Sequence, residues 1–463
     1  RTPKLYHSSQ NNSHRGNNPP LISFMLNGTW LNCTTALRPD ARPPDGGTVW
    51  SFLFRPCDVA PSLLDPDIPM ALPTPDLIRQ AAARADIASF IVMDVMVAAA
   101  KKEAEGHRVI HMEVGQPSTA APLGARRAVL ETMDRDPMGY TVALGMPALR
   151  ERIAKHYKDR YGLTISPERV VVTMGSSGAF ILAFLTLFDI GQTVGLPNPG
   201  YPCYRHILST LGMKPTLIDT GPETRWMPTP EAIDAAAEKD RIAGLLIASP
   251  SNPTGTMLTP DRLAAIVDVC LKRKIWFISD EIYHGLAYGV PETTALALTD
   301  QTIIINSFSK YFSMTGWRVG WMIVPDGLVR TVERLAQNLF ICPPAVAQVA
   351  ALGAFDSIDE LEQNRSVYQA NRDVLLEGLP RVGFDKIVPA DGAFYLYADV
   401  SKYTNDASAF CRAMIEETGV AATPGVDFDA ARGHQFVRFS YSRSTDDMRE
   451  AVARLGQWAR LRG

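Results

Sequence analysis

The amino-acid sequence predicts an α/β protein with a mainly parallel central sheet. Two observations carry this expectation. Stretches of helical, amphipathic period alternate with short β-branched runs over most of the chain. The β-branched runs are continuously apolar rather than alternating, as strands covered on both faces require. With 463 residues the chain has room for two domains and a sizeable core.

Taken in order, residues 1 to about 69 stand apart. They are rich in Asn, Pro, Ser and Arg and keep no sustained period, so irregular chain is expected there, although Trp30, Trp50, Phe52 and Phe54 are unusual for disorder. The start lacks the basic, apolar and small-residue order of a signal peptide. Sequons at Asn11, Asn27 and Asn32 would matter only in a secreted protein. Met70 opens a conventional sequence and is the expected native start. Helices are expected over 77–105, 147–161, 261–272 and 328–339, and strands over 170–173, 193–196, 245–248, 275–279, 302–305 and 319–324. After Pro343-Pro344 a long helical segment leads to a second, α+β region. The expected division is an extension (1–69), an arm with part of a small domain (70–119), a large domain (120–355) and a small C-terminal domain (356–463).

Composition excludes several functions. A charged share of 21% and a net charge of −3 give no argument for a nucleic-acid partner. The longest apolar run, 179–188, is half the ~20 residues that a membrane helix needs. Six scattered cysteines (Cys33, Cys57, Cys203, Cys270, Cys342, Cys411) read as reduced thiols of a cytoplasmic enzyme. His107 and His111 lie on a strand-like piece that sets them roughly 13 Å apart, so no metal is expected.

The chemistry-bearing residues fall at strand ends, where open α/β sheets place ligands. Lys310 lies just past the run 302–305, in Ser307-Phe308-Ser309-Lys310, with Arg318 eight residues on. Such an amine can join an aldehyde cofactor while the arginine and hydroxyls hold a phosphate. Gly175-Ser176-Ser177-Gly178 opens an apolar helix and makes either an anion site or a simple N-cap. Asp280 ends the run 275–279 and can pair with a protonated pyridine nitrogen, or serve as an N-cap or surface ion pair. Tyr283 follows three residues later, as a phenol donor or an interfacial aromatic. Asn252, in Ser251-Asn252-Pro253-Thr254-Gly255, and Tyr201, in Asn198-Pro199-Gly200-Tyr201-Pro202, sit in loops that ordinary turn chemistry also explains. Arg438 interrupts the apolar Val437-Arg438-Phe439, either gripping a carboxylate or facing solvent from an edge strand.

Jointly, Gly115, Tyr140, 175–178, 198–202, 252–255, 280–283, 307–318 and Arg438 resemble, in order, the motifs of fold-type I, class I/II aminotransferases that use pyridoxal 5′-phosphate (PLP), the aspartate aminotransferase family. The resemblance covers roughly residues 75–463. It implies a fold-type I architecture, a large domain with a mainly parallel sheet beside a smaller α+β domain. It implies Lys310 as Schiff-base lysine and proton shuttle, Asp280 as partner of the pyridine nitrogen, and Asn252 and Tyr283 as ligands of the phenolic oxygen. Tyr201 would stack on the ring, and Ser176, Ser177, Ser307, Ser309 and Arg318 would form the phosphate cup. Gly115, Asn252 and Arg438 would bind the substrate, and Tyr140 would reach the phosphate of a neighbouring subunit in a homodimer.

The implied activity is ping-pong transfer of an α-amino group from an L-amino acid to a 2-oxo acid. Dicarboxylate-specific members often carry an arginine just before the Pro-Pro step; residues 336–342 carry none here, although Arg334 lies one helical turn earlier. A strictly aspartate-specific enzyme is therefore not expected. The alternatives are a PLP-dependent C–S β-lyase and, outside enzymes, a PLP-sensing regulator. The latter needs a basic helix-turn-helix, for which residues 1–69 show no helical period.

Overall fold

The structure is a computed structural model that describes residues 21–26, 29–34 and 81–462. The chain divides into two compact units, Arg1–Gln80 and Ala81–Gly463. In the first, β1 (Leu21–Leu26) and β2 (Thr29–Thr34) pair antiparallel, Leu26 opposite Thr29 and Leu21 opposite Thr34. The expectation of irregular chain therefore fails over these strands. The overlooked signal is Asn27-Gly28 between them, the dipeptide best suited to a two-residue hairpin turn. Trp50, Phe52, Phe54, Cys57, Met70 and the sequons at Asn11 and Asn27 lie outside the described residues.

The second unit begins with a single 3-10 turn, Ala83–Ala85, and then α1 (Ile91–Ala104). The helix expected from residue 77 thus starts at Ile91, and 77–80 lie outside the described residues. Residues 81–89 are exposed and have no face to bury, whereas the Ile91 N–H is held by the Asp427 carboxylate at 3.2 Å. There follow β3 (Ile110–His111), α2 (Leu123–Met133), α3 (Pro147–Tyr161), β4 (Val170–Thr173), α4 (Gly175–Leu187), β5 (Thr193–Asn198), α5 (Pro202–Thr210), β6 (Lys214–Asp219), α6 (Pro230–Asp240) and β7 (Gly244–Ala248). The chain continues through α7 (Pro260–Arg273), β8 (Trp276–Asp280), β9 (Thr302–Ser307), β10 (Gly320–Ile323), α8 (Val329–Leu339), α9 (Ala345–Ala354) and α10 (Ile358–Arg381). It ends with β11 (Lys386–Ile387), β12 (Tyr395–Asp399), α11 (Ala407–Thr418), β13 (Val420–Ala421), β14 (Thr423–Pro424), β15 (Phe436–Ser440) and α12 (Thr445–Arg462).

Seven strands form the central sheet in the order β4-β10-β9-β8-β7-β5-β6. Only β10 runs against its neighbours; the pairs β9–β8, β8–β7, β7–β5 and β5–β6 are parallel. Alternate residues of each strand enter two separate cores. Val172, Leu245, Ile247, Phe277, Ile304 and Trp321 face one, and Val171, Leu246, Ile278, Ile303, Ile305 and Met322 the other. Both faces are dry, which is why these runs are apolar without interruption. α4 carries an apolar surface all round because it packs on the sheet and beneath α8 and α5.

A second sheet, β11-β12-β15-β14, is antiparallel, and β13 pairs with β3 in parallel. β15 lies between β12 and β14, so Arg438 is not on an edge strand, and it is 2% exposed. Arg432 reaches from beside this sheet to the carbonyls of Asn198 and Thr220, both at 2.9 Å. Among the described residues no helix is long and apolar enough to cross a membrane, and Cys203, Cys270, Cys342 and Cys411 are free thiols.

Candidate active site

Lys310 follows the end of β9 by three residues, in the turn before β10. Its Nζ donates to the Gly115 carbonyl at 2.5 Å and lies 5.9 Å from the ring centres of both Tyr283 and Phe394. Burial lowers its pKa to about 7, helped by Arg438 and Arg318 and opposed by Asp280. The amine is therefore partly unprotonated, and so nucleophilic, near neutral pH. Only glycine fits at 115, because a Cβ there would lie 1.7 Å from Tyr395 Oη. A cleft of about 360 Å³ opens beside these segments, between Gln116-Pro117, Thr315–Trp317 and Pro344–Ala347.

On another side the start of α4 meets Arg318. Gly175 has φ +67°, and a Cβ on it would sit 2.4 Å from Arg318 Nη2. A Cβ on Gly320 would be 3.2 Å from the Ser176 amide. The helix N-terminus and the guanidinium thus converge as an anion cradle. Ser176 is half-buried and Ser177 exposed there. Ser307 has a more internal place: its hydroxyl donates to the Val319 carbonyl at 3.1 Å and lies 2.9 Å from Ser309 Oγ. It braces the turn that carries Lys310.

Asp280, 2% exposed, accepts from the Tyr204 hydroxyl on one oxygen and from the Ile282 N–H on the other, at 3.1 Å. Burial raises its pKa to about 7, against the pull of those two bonds. Tyr204 also packs edge-on against Tyr201, with ring centres 5.2 Å apart. Asn252 and Arg438 are in direct contact, Arg438 Nη1 donating to Asn252 Oδ1 at 2.9 Å. Arg438 Nη2 donates to the Glu113 carbonyl and to Thr423 Oγ1, and the guanidinium carbon lies 4.5 Å from the Tyr395 ring centre and 4.7 Å from that of Phe428. Its Nε–H is buried with no hydrogen-bond partner. A buried cation solvated by one backbone carbonyl, an amide oxygen, a hydroxyl and two π faces, with one N–H to spare, is able to take a carboxylate.

The structure therefore gathers Lys310, Gly115, Asp280, Tyr283, Asn252, Arg438 and Tyr201 around one centre, with Gly175, Ser176 and Arg318 at its anion end. Tyr140 is not among them: it is 85% exposed on the surface of this chain. Sequence reasoning missed Tyr204, Tyr395, Phe394 and Phe428. For Tyr204 a signal existed, since it lies three residues after Tyr201 and so on the same face at the start of α5.

Comparison with known proteins decides the family. A model of aminotransferase class I and II matches residues 107–455, well over half of the chain. The chain belongs to the class I and II aminotransferase family. A valine–pyruvate aminotransferase of Mycobacterium tuberculosis is 47% identical over 382 residues, covering 81% of this chain and 98% of the relative. The crystal structure of an aminotransferase from Mycobacterium tuberculosis aligns with a TM-score of 0.81 at 46% identity, over 83% of this chain and all of that one. The aspartate aminotransferase of Thermus thermophilus with maleate aligns with a TM-score of 0.77 at 29% identity, over 82% of this chain and all of that one. The chain is thus an aminotransferase, an enzyme acting on amino acids and 2-oxo acids, in a family whose members generally depend on PLP. These relatives lend the β-lyase alternative no support, and they are not confined to aspartate.

Proposed function

We propose that this aminotransferase holds PLP on Lys310 and moves the α-amino group of an L-amino acid with a neutral side chain to a 2-oxo acid. The observation that carries the proposal is the Lys310 amine, with its pKa near 7, set between an anion cradle at Gly175 and Arg318 and the buried carboxylate of Asp280. The residues fit the cofactor. Arg318, Ser176, Ser177 and Ser309 would hold the phosphate with the N-terminus of α4, while Ser307 braces Ser309. Asp280 would pair with the ring nitrogen, Asn252 and Tyr283 would reach the ring hydroxyl, and Tyr201 would stack on the ring. When bound, the cofactor supplies an aldehyde carbon for amines and a ring that withdraws electrons from the neighbouring carbon.

The chain's own groups do the rest. Arg438 and Asn252 grip the substrate α-carboxylate, Arg438 with a buried Nε–H still free to donate. The Gly115 carbonyl, now bonded to Lys310 Nζ, marks how closely backbone and amine approach. Lys310 Nζ would take the proton from the substrate Cα and deliver it to the carbon that was the cofactor's aldehyde carbon, a task suited to an amine titrating near neutrality. Tyr140, exposed on its own chain, would complete the phosphate site of a second copy, giving a homodimer with composite sites. Its free thiols accord with a cytoplasmic setting.

A neutral donor is favoured because residues 336–342, just before the Pro-Pro step, carry no cation. The named Mycobacterium tuberculosis relative, a valine–pyruvate enzyme, agrees with it. The test is borohydride reduction and peptide mapping, followed by a panel of amino donors against pyruvate and 2-oxoglutarate. Label is expected on Lys310, with valine, alanine or aromatic donors ahead of aspartate. Label on another lysine refutes the cofactor site, and aspartate as the best donor refutes the specificity.

A further inference from the structure

We propose that Tyr395 is a positioning residue of this centre, its hydroxyl setting the Tyr283 hydroxyl and its ring supporting the Arg438 guanidinium. The inference rests on the reading of Lys310 as the PLP site and deepens it. Tyr395 opens β12 and is 1% exposed. Its Oη lies 2.9 Å from Tyr283 Oη, and the two rings meet edge-on at 5.7 Å. Its face carries Arg438 at 4.5 Å, and its hydroxyl stands where a side chain at 115 would project. One side chain therefore touches the phenol beside the lysine, the arginine for the substrate, and the loop that binds the lysine amine.

Two buried phenols sharing one hydrogen bond leave one proton for an outside acceptor. The charged groups facing the pair are Arg438 from β15, Asp280 from β8 and the Lys310 amine. Burial pushes both phenols up, Tyr283 the further, while Arg438 and the bond to Tyr283 pull Tyr395 back. Either hydroxyl can donate in this pair; once Tyr283 gives its proton to the cofactor's ring oxygen, Tyr395 is the donor left to the pair. It then donates to Tyr283 Oη, and the bond that Tyr283 gives toward the cofactor is strengthened by the one it receives. An aromatic that only filled core would have no such effect.

The experiment compares Y395F, which keeps the ring, and Y395L, which removes it, with the wild-type holoenzyme. In Y395F the pH midpoint of the bound cofactor's visible absorbance rises by about half a unit or more, because a donor to the charged form is weakened. KM for the amino donor stays within about twofold, since the ring under Arg438 remains. In Y395L the Kd of 3-methylbutanoate, a carboxylate without an amine, weakens about tenfold. A Y395F titration superimposed on wild type, or unchanged 3-methylbutanoate binding by folded Y395L, overturns the inference; if Y395L does not fold, Y395F decides. Absence of borohydride label on wild-type Lys310 overturns the cofactor reading and this one with it. Label on Lys310 with an unshifted Y395F overturns this one alone.

Discussion

Lys310 and Asp280 sit where the protein disfavours the charge of each. Asp280 has its pKa raised from 3.8 to about 7 by burial, so the folded state binds its proton more tightly than the unfolded chain does. Stability is therefore lost as pH rises from about 4 to 7. Lys310 has its pKa lowered from 10.5 to about 7 by burial, so its penalty is full below 7 and relieved as pH rises toward 10.5. At neutral pH the ligand-free protein carries both penalties, a cost in stability that the proposed roles of the two groups would account for. Asp280→Asn removes one of them and leaves the Tyr204 hydroxyl an acceptor. The expected result is a Tm of cofactor-free protein at pH 8 that is higher by roughly 2–4 °C, with amino transfer lower by about 100-fold or more. A Tm at or below wild type would show that the buried carboxylate is not under strain.

At the scale of elements, the strands of the central sheet were legible because burial on both faces writes an unbroken apolar run. Val170–Thr173 and Pro147–Tyr161 coincide with the expected strand and helix. β6 escaped because this edge strand, reading Lys214-Pro-Thr-Leu-Ile-Asp219, buries only Ile218 fully and carries no such run. The candidate site divides in the same way. Residues in the loops just past strand ends, such as Lys310 and Asn252, could be found locally. Tyr204 and Tyr395 could not be assigned roles, because their partners Asp280 and Tyr283 lie 76 and 112 residues away in sequence and no periodicity spans such gaps. The start of α4 offers an element-scale test. Gly175→Ala forces a Cβ into a backbone with φ +67°, at about 1–2 kcal/mol. The same Cβ meets Arg318 Nη2 at 2.4 Å and must move it. PLP affinity by equilibrium dialysis should weaken about tenfold, and no lost cap contributes, because Met174 is the N-cap and its side chain makes no cap bond; unchanged affinity would remove Arg318 and α4 from the phosphate site.

The whole molecule raises the matter of a second copy. Tyr140, Val142, Leu130 and Met133, with Ile341 and Val346, are large apolar side chains left more than a third exposed on this chain. If Tyr140 serves the neighbour's site, Tyr140→Ala and Lys310→Ala damage different sites of a mixed dimer. Each variant alone should be impaired, and an equimolar mixture, after exchange of subunits, should recover about a quarter of wild-type sites, as random pairing of a two-fold dimer requires. No recovery despite proven exchange would place Tyr140 outside the partner's site.

The bond from Lys310 to the Gly115 carbonyl reaches further than the lysine itself. Its two ends lie 195 residues apart in sequence, so this single contact ties the loop after β3 to the turn after β9, and a change at either position is expected to be felt at the other.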